Sequence, residues 1–105
     1  MRVAEALYGI AKEALNNVLK HAKASRVTVR LNELESVLTL EIADNGSGFE
    51  AATTDRRGGM GLRGMRERAA SIGADFSISS ELGAGTSILV QAPLDATLEG
   101  PATAR

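Results

Sequence analysis

The chain contains no cysteine. That excludes a disulfide scaffold, a thiolate-ligated zinc site and a cysteine nucleophile, and it is compatible with a reducing compartment. Long apolar runs are also missing: none approaches the ~20 residues that a membrane-spanning helix needs, and no signal-peptide pattern opens the chain. A soluble, cytoplasmic domain is the expectation, whatever anchor a parent protein carries. Neither sign of charge is in excess. Twelve basic against thirteen acidic residues leave a formal charge of -1, so no long-range field steers the chain toward nucleic acid or an anionic membrane. Any phosphate it binds must be held locally. Two common phosphate cradles are absent as well, since there is neither a Gly-x-x-x-x-Gly-Lys-Ser/Thr loop nor a strand-borne Gly-x-Gly-x-x-Gly with a later acidic partner.

What is present has the composition of one globular domain. At 105 residues, 44% hydrophobic and 24% charged, the chain can build one two-layer core and is too small for two. Ala4, Leu7, Ile10, Ala11, Ala14, Leu15, Val18, Leu19 and Ala22 recur at helical spacing and predict one amphipathic helix over residues 3–22. Val27, Val29 and Leu31 alternate with polar residues, Glu33 to Ser36 turn the chain, and Leu38, Leu40 and Ile42 alternate again. This predicts an antiparallel hairpin with one buried face. Residues 44–61 are glycine-rich and aperiodic, a long loop of the kind that is usually functional. Leu62, Met65, Ala69 and Ile72 mark a second helix, with Gly73 as its left-handed cap. Phe76 and Ile78 begin a strand, Glu81 to Gly85 turn, and Thr86, Ile88, Val90 and Ala92 form its partner before Pro93 ends the sheet. The order predicts an α+β fold: a two-layer α/β sandwich, its mostly antiparallel mixed sheet carrying helices on one face, over residues 1–93. Residues 94–105 are expected to be a disordered tail.

Four segments bear chemistry. Asp44 closes the second strand and is followed by Gly46 and Gly48, which let backbone approach a ligand. A carboxylate so placed can read a flat polar molecule such as adenine, although Asp-Asn-Gly taken singly is also ordinary turn chemistry. Glu13 and Asn17 are four apart and share one helix face. Asn17 offers a hard oxygen suited to a magnesium ion that keeps its waters and touches phosphates, and Glu13 offers a carboxylate that accepts a proton or orients a nucleophile. On these two residues alone, a solvated helix face is the better reading, since Glu and Asn are common there. Lys20 and His21 lie near the same face and could direct positive charge or a donor toward a polyphosphate. Gly59-Met60-Gly61-Leu62 runs into the start of the second helix, where free amides and the positive dipole end receive anions. Thr86, after Glu81-Leu82-Gly83-Ala84-Gly85, could reach a water shared with Asp44 and an adenine edge. Singly, that segment is a hairpin turn.

Taken together, Glu13-x-x-x-Asn17, Asp44-x-Gly46-x-Gly48, Gly59-x-Gly61-Leu62 and Gly85-Thr86 occur in an order that resembles the Bergerat-type ATP-binding fold. That fold is shared by DNA gyrase, heat shock protein 90, mismatch-repair ATPases and histidine kinases. The stretches from Ala11 to Ala22 and from Gly61 to Arg68 are similar to the asparagine box and second glycine box of sensor histidine kinases of the nitrate-sensor-like class. The resemblance covers residues 4–93. It implies that Asp44 accepts the adenine amino hydrogen, that Gly48 and Thr86 hold a bridging water, and that Asn17 binds magnesium on the triphosphate. Glu13 would be the base or orienting carboxylate, and Gly59, Gly61 and the amides around Leu62 would cradle phosphates. Lys20, His21, Arg56 and Arg57 would be further phosphate contacts. The implied cofactors are ATP and Mg2+, and the implied partners are a dimerisation domain bearing the phosphoacceptor histidine and, indirectly, a response regulator. The family's usual first strand and acceptor hairpin have no counterpart before Met1, so the chain reads as a donor domain without its acceptor. Two alternatives stand beside this reading: a serine kinase acting on anti-sigma-type regulators, and an ATP-gated binding module without phosphotransfer.

Overall fold

The computed structural model describes residues 2–48 and 61–94, except the side chains of His21 and Ala22. Helix α1 spans Arg2–Asn17 and passes into a π-helical turn, Val18–Ala22. The hairpin β1 (Val27–Leu34) and β2 (Val37–Asp44) follows, then α2 (Leu62–Ser71), β3 (Asp75–Ser80) and β4 (Thr86–Pro93). The sheet order is β1-β2-β4-β3. Every described pairing is antiparallel, so the expected mixed sheet is not mixed among these residues.

Register explains which face is buried. Leu40 pairs with Val90 and Ile42 with Ile88, while Phe76 and Ile78 oppose the same two β4 residues from the other side. Side chains alternate across a strand, so these all project to one face. Val3, Ala6, Leu7, Ile10 and Ala14 of α1 and Leu62, Met65 and Ala69 of α2 cover that face and complete a single core. Both helices therefore lie on one side of the sheet, as predicted. They approach closely at Gly9, where a Cβ would run into the Arg68 side chain. The second helix ends as its sequence predicts. Gly73 has φ +68°, and the amides of Ala74 and Gly73 donate to the carbonyls of Ala69 and Ala70, the paired closure that a left-handed cap provides.

Two expectations change. The helix predicted over 3–22 is α-helical only to Asn17. Beyond it, wider π turns displace the apolar stripe, and Leu19, at 83% exposure, faces solvent instead of core. The first hairpin does not bury both its strands. Val29 and Leu31 share the face of Ile42 and Leu40, but they sit on an edge strand beyond helix cover and remain 49% and 60% exposed. The hairpin itself turns through two residues, Glu35 and Ser36, both at positive φ (53° and 64°), the twist that a two-residue connection requires.

Candidate nucleotide site

The candidate site forms at the end of the sheet where β2 finishes and β4 begins. Asp44 is the last residue of β2 and Thr86 the first of β4, and the register makes them direct cross-strand partners. Both have the parity of the core-facing residues, so their side chains project from the helix-covered face. The Asp44 carboxylate accepts the Gly46 amide through one oxygen at 2.7 Å. This leaves the other oxygen as an acceptor for a ligand. Asn45, next in the run, serves the fold: its side-chain oxygen accepts the amides of Ser25 and Arg26 at 3.0 and 2.9 Å, and its amide donates to the Ser25 hydroxyl at 3.0 Å. The chain entering β1 is thereby tied to the end of β2.

Gly48 and Gly85 let two loops meet at main-chain distance. Gly48 (φ +65°) packs against the Glu81 carbonyl and Gly85 (φ +80°) against the Asp44 carbonyl, each so close that a Cβ would clash with backbone. The Gly83 amide donates to the Ser47 carbonyl across the same seam. Around these strand ends lies a cavity of about 360 Å³, lined by residues of both sheet faces: Asp44, Ser80 and Thr86 together with Ala43, Ser79 and Ser87. The Thr86 hydroxyl is 2.8 Å from that of Ser80, and the Ser80 hydroxyl also donates to the Gly85 carbonyl at 3.2 Å. Ser80 is a site-lining residue that sequence reasoning missed. Only the β3–β4 register could have marked it, by setting it opposite Thr86.

Two further sequence-predicted groups lie on the helices. Glu13 and Asn17 are half-buried on the last turns of α1, and Asn17 is where the α-helix gives way to the π turn. The Glu13 side chain lies across Gly61, the residue that begins α2: a Cβ at Gly61 would come within 2.5 Å of its Cγ and 2.6 Å of its Oε2. The expected carboxylate and the expected anion-receiving helix start are therefore adjacent. Leu62 is fully buried in the core. Lys20 is exposed on the π turn. Gly59, Arg56 and Arg57 lie outside the described residues, as does the side chain of His21. No cluster of three carboxylates, histidines or cysteines able to hold a metal occurs among the described residues. A cation near Asn17 would thus draw most of its ligands from water and phosphate, which is how magnesium is usually held.

Comparisons with known proteins bear on the family and the fold. The chain is 46% identical over 89 residues to the sensor protein VraS of Staphylococcus saprophyticus, covering 85% of this chain and 25% of that protein. It is 44% identical over 89 residues to the VraS of Staphylococcus aureus, with the same coverage of 85% and 25%. It therefore spans about a quarter of the length of these curated relatives. Among solved structures, the histidine kinase domain of the Erythrobacter litoralis EL346 blue-light activated histidine kinase superposes with a TM-score of 0.78 at 24% identity, over 93% of this chain and 48% of that one. That likeness establishes the fold. Residues 2–96 match the family described as Histidine kinase-, DNA gyrase B-, and HSP90-like ATPase, and the chain belongs to that family.

Proposed function

We propose that this domain binds Mg-ATP and donates its γ-phosphoryl group to a histidine on a separate dimerisation domain, as the catalytic unit of a two-component sensor histidine kinase. The observation that carries the reading is the placement of Glu13 against Gly61, at the start of α2. It sets a carboxylate beside the helix end that would receive the phosphates.

In this reading Asp44 accepts a hydrogen from the adenine amine, Gly48 and Thr86 hold a bridging water, and Gly46 clears space for the ring. Gly59, Gly61 and the Leu62 amide cradle the phosphates, with Lys20 and His21 as outlying contacts. Asn17 would hold Mg2+, which when bound would neutralise charge on the triphosphate. The acceptor imidazole nitrogen attacks the γ-phosphorus, the bond from that phosphorus to the β–γ bridging oxygen breaks, and ADP leaves. Glu13 orients the imidazole and takes its proton. Positioning and charge neutralisation supply most of the rate. A response regulator would then take the phosphoryl group from the histidine. The parent kinase would hold this domain in the cytoplasm even where it is membrane-anchored, and no described helix is long and apolar enough to cross a membrane.

Two measurements test this reading. Asp44→Asn keeps the oxygen that accepts the Gly46 amide but turns the ligand-facing acceptor into a donor. The variant is expected to fold with a near-wild-type denaturation midpoint and to lose adenine-nucleotide binding by calorimetry. Unchanged ATP affinity overturns the site. Labelled ATP with an added acceptor-hairpin protein tests transfer, and tight nucleotide binding without a labelled histidine favours the ATP-gated module instead.

A further inference from the structure

We propose that Ser80 is a positioning residue that fixes the hydroxyl proton of Thr86 and thereby sets the base preference of the site. The inference deepens the adenine-site reading and rests on it. The Ser80 hydroxyl has one proton. Its partner at 3.2 Å, the Gly85 carbonyl, can only accept. With that proton committed, the 2.8 Å contact between Ser80 and Thr86 is made by the Thr86 proton. The remaining lone pairs of Thr86 then present an acceptor.

Thr86 is the cross-strand partner of Asp44 on the same face of the sheet, and Asp44 is also an acceptor once its carboxylate is ionised. Ser80 therefore makes the end of the cavity a row of acceptors. A base edge carrying an amine, with a water that donates to Thr86 and to a ring nitrogen, satisfies that row. Guanine offers a carbonyl oxygen where adenine has its amine and places acceptor against acceptor. A Thr86 released from Ser80 could rotate its proton toward that oxygen. Discrimination would then weaken without any change in the shape of the cavity.

Calorimetry of the whole chain with Mg-ATP and Mg-GTP tests the proposal. Ser80→Ala is expected to lower the ATP-to-GTP affinity ratio about tenfold, the scale of one hydrogen bond gained or lost. Ser80→Cys, of similar size but a weak donor and acceptor, should lower it several-fold if the alanine variant folds poorly, and Ser80→Thr should restore it. In a Thr86→Val background, Ser80→Ala should leave the ratio unchanged, because the hydroxyl it controls is gone. Ser77→Ala, on the opposite face of β3 and outside the cavity lining, should behave as wild type. Equal losses for ATP and GTP, or a Ser80→Ala effect that persists without the Thr86 hydroxyl, overturn the proposal and mark Ser80 as a turn-stabilising residue. Insensitivity of ATP binding to Asp44→Asn instead overturns the adenine site itself, so the two failures are distinguishable.

Discussion

Gly83 and Gly85 lie in the same turn with nearly identical dihedrals, φ +81° and +80°, and differ in what surrounds them. They form a matched pair for separating backbone strain from packing. A Cβ at Gly83 meets nothing within 4 Å, so Gly83→Ala carries only the penalty of a left-handed L-residue, about 1–2 kcal/mol. A Cβ at Gly85 falls against the Asp44 carbonyl and 3.3 Å from the Asn45 Cα. Those atoms belong to main chain held by the β2–β4 ladder and by the Asn45 clamp, so no side chain can swing aside. Overpacking of that kind adds about 1–3 kcal/mol. At about 4–8 °C per kcal/mol for a domain of this size, the Tm of Gly85→Ala should fall below that of Gly83→Ala by roughly 5–20 °C. Nucleotide affinity should separate the two in the same direction, since relief of the Gly85 clash moves Asp44 and nothing at Gly83 does. Urea denaturation and calorimetry on both variants provide the check. Equal midpoints, or equal ATP affinities, would refute the argument that Gly85 is required for close approach.

Asn17→Ala is expected to weaken ATP binding several-fold in the presence of magnesium and much less in its absence; equal losses in the two titrations count against a role in holding the metal. In the first hairpin, the double change Glu35→Asn and Ser36→Gly places residues that tolerate positive φ where Glu and Ser now stand at 53° and 64°. It should stabilise the domain by about 1 kcal/mol, read as a raised urea midpoint with unchanged nucleotide affinity.

The parts of the fold that the sequence made legible are those set by a repeating period. Val3, Ala6, Leu7, Ile10 and Ala14 write a helix face directly, and the alternations in β2 and β4 write strand faces, because burial in each case repeats with the geometry of the element. Gly73 was readable for a local reason, its positive φ. The π turn was not, since Val18, Leu19 and Ala22 keep a spacing that also suits an α-helix, and only the exposure of Leu19 reveals the widened turn. Alternation in β1 told which side chains share a face but not whether a helix reaches far enough to cover them. Among the candidate site residues, Glu13, Asn17, Asp44 and Thr86 drew notice only in combination, through the order of motifs that carries the family resemblance. Ser80 did not, because a serine at a strand end has no distinguishing neighbour in sequence; its meaning comes from lying opposite Thr86 in the ladder. Asn45 was part of the run that drew attention, yet its bonds run to Ser25 and Arg26 and serve the fold.

Strand order has a consequence for how the domain should behave under stress. Asp44 and Thr86 belong to β2 and β4, the two inner strands, while β1 and β3 form the margins. Margins open locally at low free-energy cost, whereas inner strands exchange their amide hydrogens only when the whole sheet comes apart. A nucleotide anchored on the inner pair is therefore linked to global unfolding and not to fraying. At saturating ligand, amide protection in β2 and β4 should rise with ln[ATP], whereas the outer edge of β1 should exchange at the same rate with or without it. With the proposed site, recognition and cooperativity of folding would share the same two strands, so the domain should keep its ligand until it loses its structure altogether.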